Sequence, residues 1–276
     1  MLFNFFDMDL SNIKMVVTDM DGTLLNSKHQ VSPRFFELYR ELQRRNIQFV
    51  AASGRQFHSM VDKLGPLGDE IIIIAENGAL VRKQQRVILS TPIEGKKINQ
   101  ILDLVDPLEN VHSVLCCQDN AYVSARSPEF LETLKEYYSE FQIVEDKTKV
   151  EEEVLKIAIF HGESSEKHIY PAVRHLEGEL KVKVSGAHWV DVSDRYAHKG
   201  HALKKVMDHF NIASHEIMVF GDYNNDLEML ALSDFSFAMA NAHPNVLKSA
   251  KYSTGSNDEF GVENVLEKLV EGTPIQ

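Results

Sequence analysis

Met15-Val16-Val17-Thr18-Asp19-Met20-Asp21-Gly22-Thr23-Leu24 passes from apolar and β-branched residues into two carboxylates one residue apart, then a glycine. This is the pattern of a buried strand opening into a turn at its carboxyl end, the edge of an α/β sheet where ligands bind. In such a turn Asp19 and Asp21 can face one volume. Two carboxylates that close repel each other unless a cation sits between them or one keeps a proton. The pair therefore points to a hard divalent metal and to a role for each acid. Taken alone, the stretch reads equally as a solvated turn with Asx-type hydrogen bonds. It does not read as an EF-hand loop: the twelfth residue from Asp19 is Gln30 rather than a glutamate, and a strand precedes it.

Three further stretches bear on that choice. Phe49-Val50-Ala51-Ala52-Ser53-Gly54-Arg55 repeats the order of strand, polar turn and helix. Ala197-His198-Lys199-Gly200-His201-Ala202-Leu203 places a lysine at a helix start, and Met218-Val219-Phe220-Gly221-Asp222-Tyr223-Asn224-Asn225-Asp226 ends another buried strand in an acidic loop. Ser53 and the Gly54 amide are expected at a helix N-terminus, where free N–H donors and the helix dipole favour an anion. Each element has a plain structural reading as well. Ser53 is an ordinary helix cap, Lys199 a solvated lysine, and the Asp222–Asp226 acids suit a helix start.

Asp-x-Asp-Gly-Thr, Ser-Gly-Arg, Lys-Gly and Gly-Asp-x-x-Asn-Asp in this order resemble the haloacid dehalogenase-like phosphohydrolases, and within them the Cof-type members with a class IIB cap, including sugar phosphatases. The resemblance runs from about Met15 to Val265. It implies an α/β protein, with a doubly wound, mainly parallel (Rossmann-like) core sheet and an inserted α+β cap. It assigns Asp19 as nucleophile, forming an aspartyl-phosphate, and Asp21 as general acid and base. Mg²⁺ is implied as cofactor, held by Asp19, Asp222 and the main-chain carbonyl of Asp21, with Asp226 holding a metal-bound water or orienting Lys199. Ser53, Gly54, Lys199 and Asn225 would hold the phosphate. Asn77 would contact substrate, or is simply the turn residue of an Asn-Gly pair.

Composition bounds the rest. With 276 residues, 43% hydrophobic and 25% charged, the chain is an ordinary globular protein of one or two domains. A formal net charge of −12 argues against broad nucleic-acid or anionic-membrane binding, so an anionic substrate has to be attracted locally. The two cysteines, Cys116 and Cys117, are adjacent; strand neighbours point to opposite faces, so two buried thiols in a reducing cytoplasm are expected. Leu2, Phe3, Phe5 and Phe6 are interrupted by acids and are not expected to form a signal peptide, and no apolar run reaches the length of a membrane span. His198 and His201, in an H-x-x-H spacing without an evident third ligand, are not expected to bind zinc.

Strands alternate with helices up to about Leu89. The order then changes to paired strands with interspersed helices, which marks a separate layer. Residues 1–89 and 188–276 are therefore expected to form the core and 90–187 the inserted cap, covering the site and setting substrate specificity. The Trp189–Val192 stretch is expected to lead back into the core. The function expected is a Mg²⁺-dependent phosphatase acting on small phosphomonoesters, sugar phosphates first. Its rivals are a phosphomutase or phosphotransferase using the same intermediate, and a phospholigand-binding regulatory module.

Overall fold

The computed structural model describes residues 9–124, 127–135, 138 and 140–272, so the apolar N-terminal stretch at residues 2–6 lies outside the described residues. β1 (Met15–Asp19) is buried along its whole length, as an apolar run at the centre of a sheet has to be. Ser32 caps α1 (Pro33–Arg44), its hydroxyl accepting from the Phe35 amide, and Pro33 opens the helix where a missing N–H costs nothing. α1 packs Phe35 and Tyr39 edge-on against Phe49 of β2 (Gln48–Ala52). Ser53, Gly54 and Arg55, expected at a helix N-terminus, form a bend instead, and α2 begins only at Phe57 and ends at Leu64. The carbonyls of Ser53 and Arg55 accept from the amides of Asn77 and Glu76, so tertiary bonds hold this segment in place of the helical ladder. β3 (Ile72–Ala75), β4 (Leu80–Lys83) and β5 (Arg86–Ser90) follow, the last two joined through Gln84 in the left-handed region.

The next stretch builds its own sheet. Its elements are α3 (Gly95–Val105), β6 (Val111–Cys117), β7 (Ala121–Val123), α4 (Pro128–Lys135), β8 (Gln142–Ile143), β9 (Val154–His161), α5 (Ser165–His168), α6 (Tyr170–Val173), β10 (Leu180–Val184) and β11 (Trp189–Asp194). The strand order is β10-β11-β9-β6-β7-β8. Residues 136 and 137, in the expected continuation of α4, lie outside the described residues. Residues 164–176 run through α5, α6 and a short 3₁₀ turn rather than one continuous helix, because Pro171 cannot donate to the carbonyl four residues back. The expected return to the core at residue 188 is corrected as well. β11 pairs antiparallel with both β9 and β10, which keeps it in the second sheet. Cys116 and Cys117 are both buried thiols outside any disulfide among the described residues, in separate apolar clusters.

The chain then adds α7 (Lys199–Phe210), β12 (Ile217–Gly221), α8 (Leu227–Leu230), β13 (Phe235–Ala238), α9 (Pro244–Ser249), β14 (Tyr252–Ser253) and α10 (Gly261–Glu271). Val262, Val265, Leu266 and Leu269 of α10 are buried, as their helical spacing predicts. The first sheet has the order β14-β13-β12-β1-β2-β3-β4-β5, parallel from β14 to β3 and antiparallel at β4. Two compact units result: Met1–Arg55, Met60–Leu89 and His198–Gln276 form one, and Gln56–Ser59 with Ser90–Ala197 the other. Among the described residues, no helix is long and apolar enough to cross a membrane.

Candidate active site

β1 lies between β12 and β2, and β2 lies beside β3, all parallel. Their carboxyl ends therefore share one edge. The chain leaves that edge through Asp19–Gly22, Ser53–Arg55, Glu76–Gly78 and Asp222–Asp226, so parallel pairing alone gathers residues more than two hundred positions apart. α7 brings Lys199 into the same group.

Lys199 is fully buried and donates to Asp19 Oδ1, and to Asp226 Oδ1 at 2.6 Å. The other oxygen of Asp226, Oδ2, accepts from the amides of Asp222 (3.0 Å) and Tyr223 (3.1 Å). Asp226 is thus committed to fixing Lys199 and its own loop. Burial pulls Lys199 down, but the charges of Asp19 and Asp226 outweigh it and hold the ammonium above the ordinary lysine value. Burial, and then the like charges of Asp226 and Asp222, push Asp19 well above the usual carboxylate range against the pull of Lys199. Asp222 is pushed up to about 6, again by burial and then by Asp226. One ammonium faces three carboxylates.

One oxygen each of Asp19, Asp222 and Asp226 lies within 4.8 Å of the others. Asp19 Oδ2 is buried and receives no hydrogen bond among the described residues. A buried carboxylate oxygen without a donor, set among other carboxylates, is the donor set of a hard cation. Thr23 Oγ1 donates to Asp222 Oδ1 at 3.2 Å, which steadies that side chain. Gly22, at φ 82°, lies so close that a Cβ there would fall 2.3 Å from Asp222 Oδ2. Only glycine fits this contact in this backbone conformation.

Asp21 takes a different partner. Arg55 donates to both of its oxygens, Nε to Oδ2 at 2.7 Å and Nη2 to Oδ1 at 2.6 Å, and His29 Nδ1 stands 3.4 Å from Oδ1. Burial raises the Asp21 carboxyl, but the Arg55 hydrogen bonds and charge outweigh it and hold the group below its usual value. Ser53 is buried at the bend, its hydroxyl accepting from the Arg55 amide at 3.2 Å. Asn225 Nδ2 donates to Asn77 Oδ1 at 3.1 Å, and Asn77 packs against Gly54. His198 caps α7, its Nδ1 accepting from the His201 amide.

All nine residues singled out from the sequence thus belong to the loops and helix start at one sheet edge. From the sequence Arg55 is expected to form a structural ion pair with an acid of the core, and Asp21 is that acid; the grip of Thr23 on Asp222 and the place of His29 were not foreseen. Thr23 and Arg55 stand inside the quoted motifs, so motif membership was the available signal. His29 has no signal in the sequence, since only a loop turning at positive φ brings it near Asp21.

A family model of haloacid dehalogenase-like hydrolases matches residues 16–266. The chain is 28% identical over 262 residues to the 5-amino-6-(5-phospho-D-ribitylamino)uracil phosphatase YbjI of Escherichia coli (strain K12), covering 94% of this chain and 97% of that protein. It is likewise 28% identical to the phosphatase YwpJ of Bacillus subtilis (strain 168), covering 94% and 100%. A crystal structure of a Streptococcus mutans protein superposes with a TM-score of 0.81 at 28% identity, over 94% of this chain and 99% of that one.

Proposed function

We propose that this chain, which belongs to the haloacid dehalogenase-like hydrolases, is a phosphatase that hydrolyses small phosphomonoesters through a phosphoryl group carried on Asp19. Sugar phosphates and phosphorylated sugar alcohols are the substrate class, the latter because one relative is named for a phosphoribityl compound. The observation that carries this reading is Asp19 itself. One oxygen is bound by a buried lysine, and the other is buried without a donor beside Asp222. Stability alone does not favour such a carboxylate, because an unpaired buried oxygen costs free energy.

In the first step a carboxylate oxygen of Asp19 attacks phosphorus, the ester P–O bond breaks, and Asp21 gives its proton to the departing alkoxide. In the second step water attacks the phosphoryl group, Asp21 takes a proton from it, and the bond to Asp19 breaks, releasing phosphate. Lys199, the Ser53 hydroxyl, the Gly54 amide and Asn225 offset the charge on the phosphoryl oxygens. Arg55 holds Asp21 ionised, the form that accepts the proton of water; donation to the leaving group requires that pair to open first.

Asp19, Asp222 and the Asp21 main-chain carbonyl would hold Mg²⁺, with Asp226 outside its direct ligands because both its oxygens are already engaged. When bound, the cation supplies positive charge opposite the phosphoryl oxygens. The second unit is assigned the choice of substrate, and a reducing cytoplasm, which suits two buried cysteines kept as thiols, is the proposed location.

The test is Asp19→Asn, assayed with Mg²⁺ by phosphate release from sugar phosphates, a phosphoribityl compound, nucleotides, pyridoxal phosphate and flavin mononucleotide. The variant is expected to lose activity by at least ~10³-fold while keeping its melting temperature. Hydrolysis near the wild-type rate would overturn the assignment.

A further inference from the structure

Three loops of the site meet at one short turn, Glu76–Gly78. On the side of Ser53, the Asn77 amide donates to the Ser53 carbonyl and the Glu76 amide to the Arg55 carbonyl, both at 2.9 Å. On the side of α7, Gly78 at φ 103° lies so close that a Cβ there would fall 2.4 Å from the His198 carbonyl oxygen and 2.9 Å from the Lys199 amide nitrogen. On the side of the acidic loop, Asn77 Oδ1 accepts from Asn225 Nδ2 at 3.1 Å. Glu76 and Asn77 both hold positive φ, 50° and 54°. Two successive non-glycine residues in that region carry a conformational cost that the surrounding bonds have to offset.

We propose that Asn77 is a positioning residue of the phosphate site, acting through Asn225 rather than on the substrate itself. The inference rests on Asn225 being a phosphate ligand. A side-chain amide has two N–H groups. With one spent on Asn77 Oδ1, the amide plane of Asn225 is set and the second N–H is left with a fixed direction. The Asn77 oxygen is itself anchored, since its backbone is bonded to Ser53 and its Nδ2 packs on Gly54, where a Cβ would lie 2.9 Å away. The donors of two loops are thereby placed in register before any phosphate arrives, so less conformational freedom has to be lost on binding.

Asparagine meets both demands at this position. It tolerates the left-handed conformation and offers an uncharged acceptor. Aspartate would accept as well, but would place another negative charge beside a site built for an anion. Alanine would lose the acceptor and strain the turn. Glycine removes only the side chain and suits φ 54°, so Asn77→Gly separates positioning from folding.

The experiment compares wild type, Asn77→Gly, Asn225→Ala and the double variant, all with Mg²⁺. Two readouts are taken: affinity for inorganic phosphate by calorimetry, and kcat and KM on a small phosphomonoester. Asn77→Gly is expected to weaken phosphate binding and kcat/KM by about tenfold, the scale of one hydrogen bond to a well-placed donor, with Asn225→Ala losing as much or more. The double variant is expected to match Asn225→Ala, because once the held group is gone its holder has nothing left to do. Losses that multiply in the double variant, an unaffected Asn77→Gly, or a wild type that binds no inorganic phosphate would each overturn the proposal. A wild type that hydrolyses no ester yet shows the coupled pattern in phosphate affinity would overturn the catalytic reading and leave this one standing.

Discussion

Lys199 in the first unit and Lys147 in the second are both removed from solvent and both bonded to a carboxylate, yet their surroundings are built on different principles. Lys147 donates to Asp106 Oδ1 at 2.9 Å, to the Ser113 carbonyl at 3.4 Å and to the Ser113 hydroxyl. Its single acid is partly exposed, and the group closes as a neutral, fully bonded unit. Lys199 faces Asp19, Asp226 and, close by, Asp222, so one positive charge stands among three negative ones. The second unit has buried a charge and settled it. The first unit has buried an imbalance that folding by itself does not favour, in a cluster of acids that could hold a further positive group.

The contrast is sharpened most by removing one acid from each cluster in protein stripped of divalent ions. Asp106→Asn leaves the Lys147 ammonium buried without its counter-charge and should lower stability by about 2 kcal/mol, allowing for the partial exposure of Asp106. Asp222→Asn should do the reverse at pH 7. The Asp222 value of about 6 in the fold lies above its ordinary 3.8, so the folded state binds more protons between these values. Stability therefore falls as pH rises from about 4 to about 6, and above that the penalty is complete. Removing the charge lifts the penalty. Adding Mg²⁺ should raise the melting temperature of wild type much more than that of Asp222→Asn. Thermal melts with a chelator and with Mg²⁺ decide it; destabilisation by both variants in the chelator would erase the contrast.

A smaller effect is expected at the boundary between settled and unsettled charge, the Asp21–Arg55 pair. Arg55 holds Asp21 below its ordinary value, so Asp21 stays ionised as pH falls. Arg55→Ala leaves burial as the main influence, and burial favours the protonated acid. The acidic limb of the kcat profile should therefore move to higher pH, read from pH–rate curves. An unmoved limb would show that Asp21 is not the group whose ionisation the limb reports.

The smallest effect belongs to the second unit. Burial lowers His161 from its ordinary 6.5, and its Nδ1 accepts from the amides of Glu163 and Ser164. A histidine lowered in the fold contributes stability that is complete above 6.5 and is lost as pH falls through its folded value. Trp189, the only tryptophan, lies in β11 and reports this unit. Its fluorescence should show a lower denaturant midpoint at pH 5 than at pH 7. His161→Asn, which keeps an acceptor oxygen and does not titrate, should flatten that difference.

Much of this was legible in the chain itself. Apolar runs ending in polar turns marked the strands of the first sheet, because a strand buried on both faces has no choice but to be apolar throughout. Ser32-Pro33, a capping hydroxyl followed by a residue with no N–H to lose, is a purely local signal for the start of α1. The readings that failed did so where long-range pairing overrides local pattern. Trp189–Val192 looks the same whether its partners lie in one sheet or the other, and β9 and β10 claimed it. The bend at Ser53–Arg55 carries helix-start residues, but its carbonyls bond to Glu76 and Asn77 before a helix can form.

By itself, then, the sequence determined which groups this protein owns: the acids at 19, 21, 222 and 226, the lysine at 199, and the strands whose ends carry them. Which oxygen is left without a donor, which acid an arginine claims and which asparagine steadies another were decided only in the folded molecule. Residue type sets what a side chain can do. Its bonding partner, the depth at which it is buried and the charges around it are set by chain segments far away in sequence, and no local pattern encodes their distance.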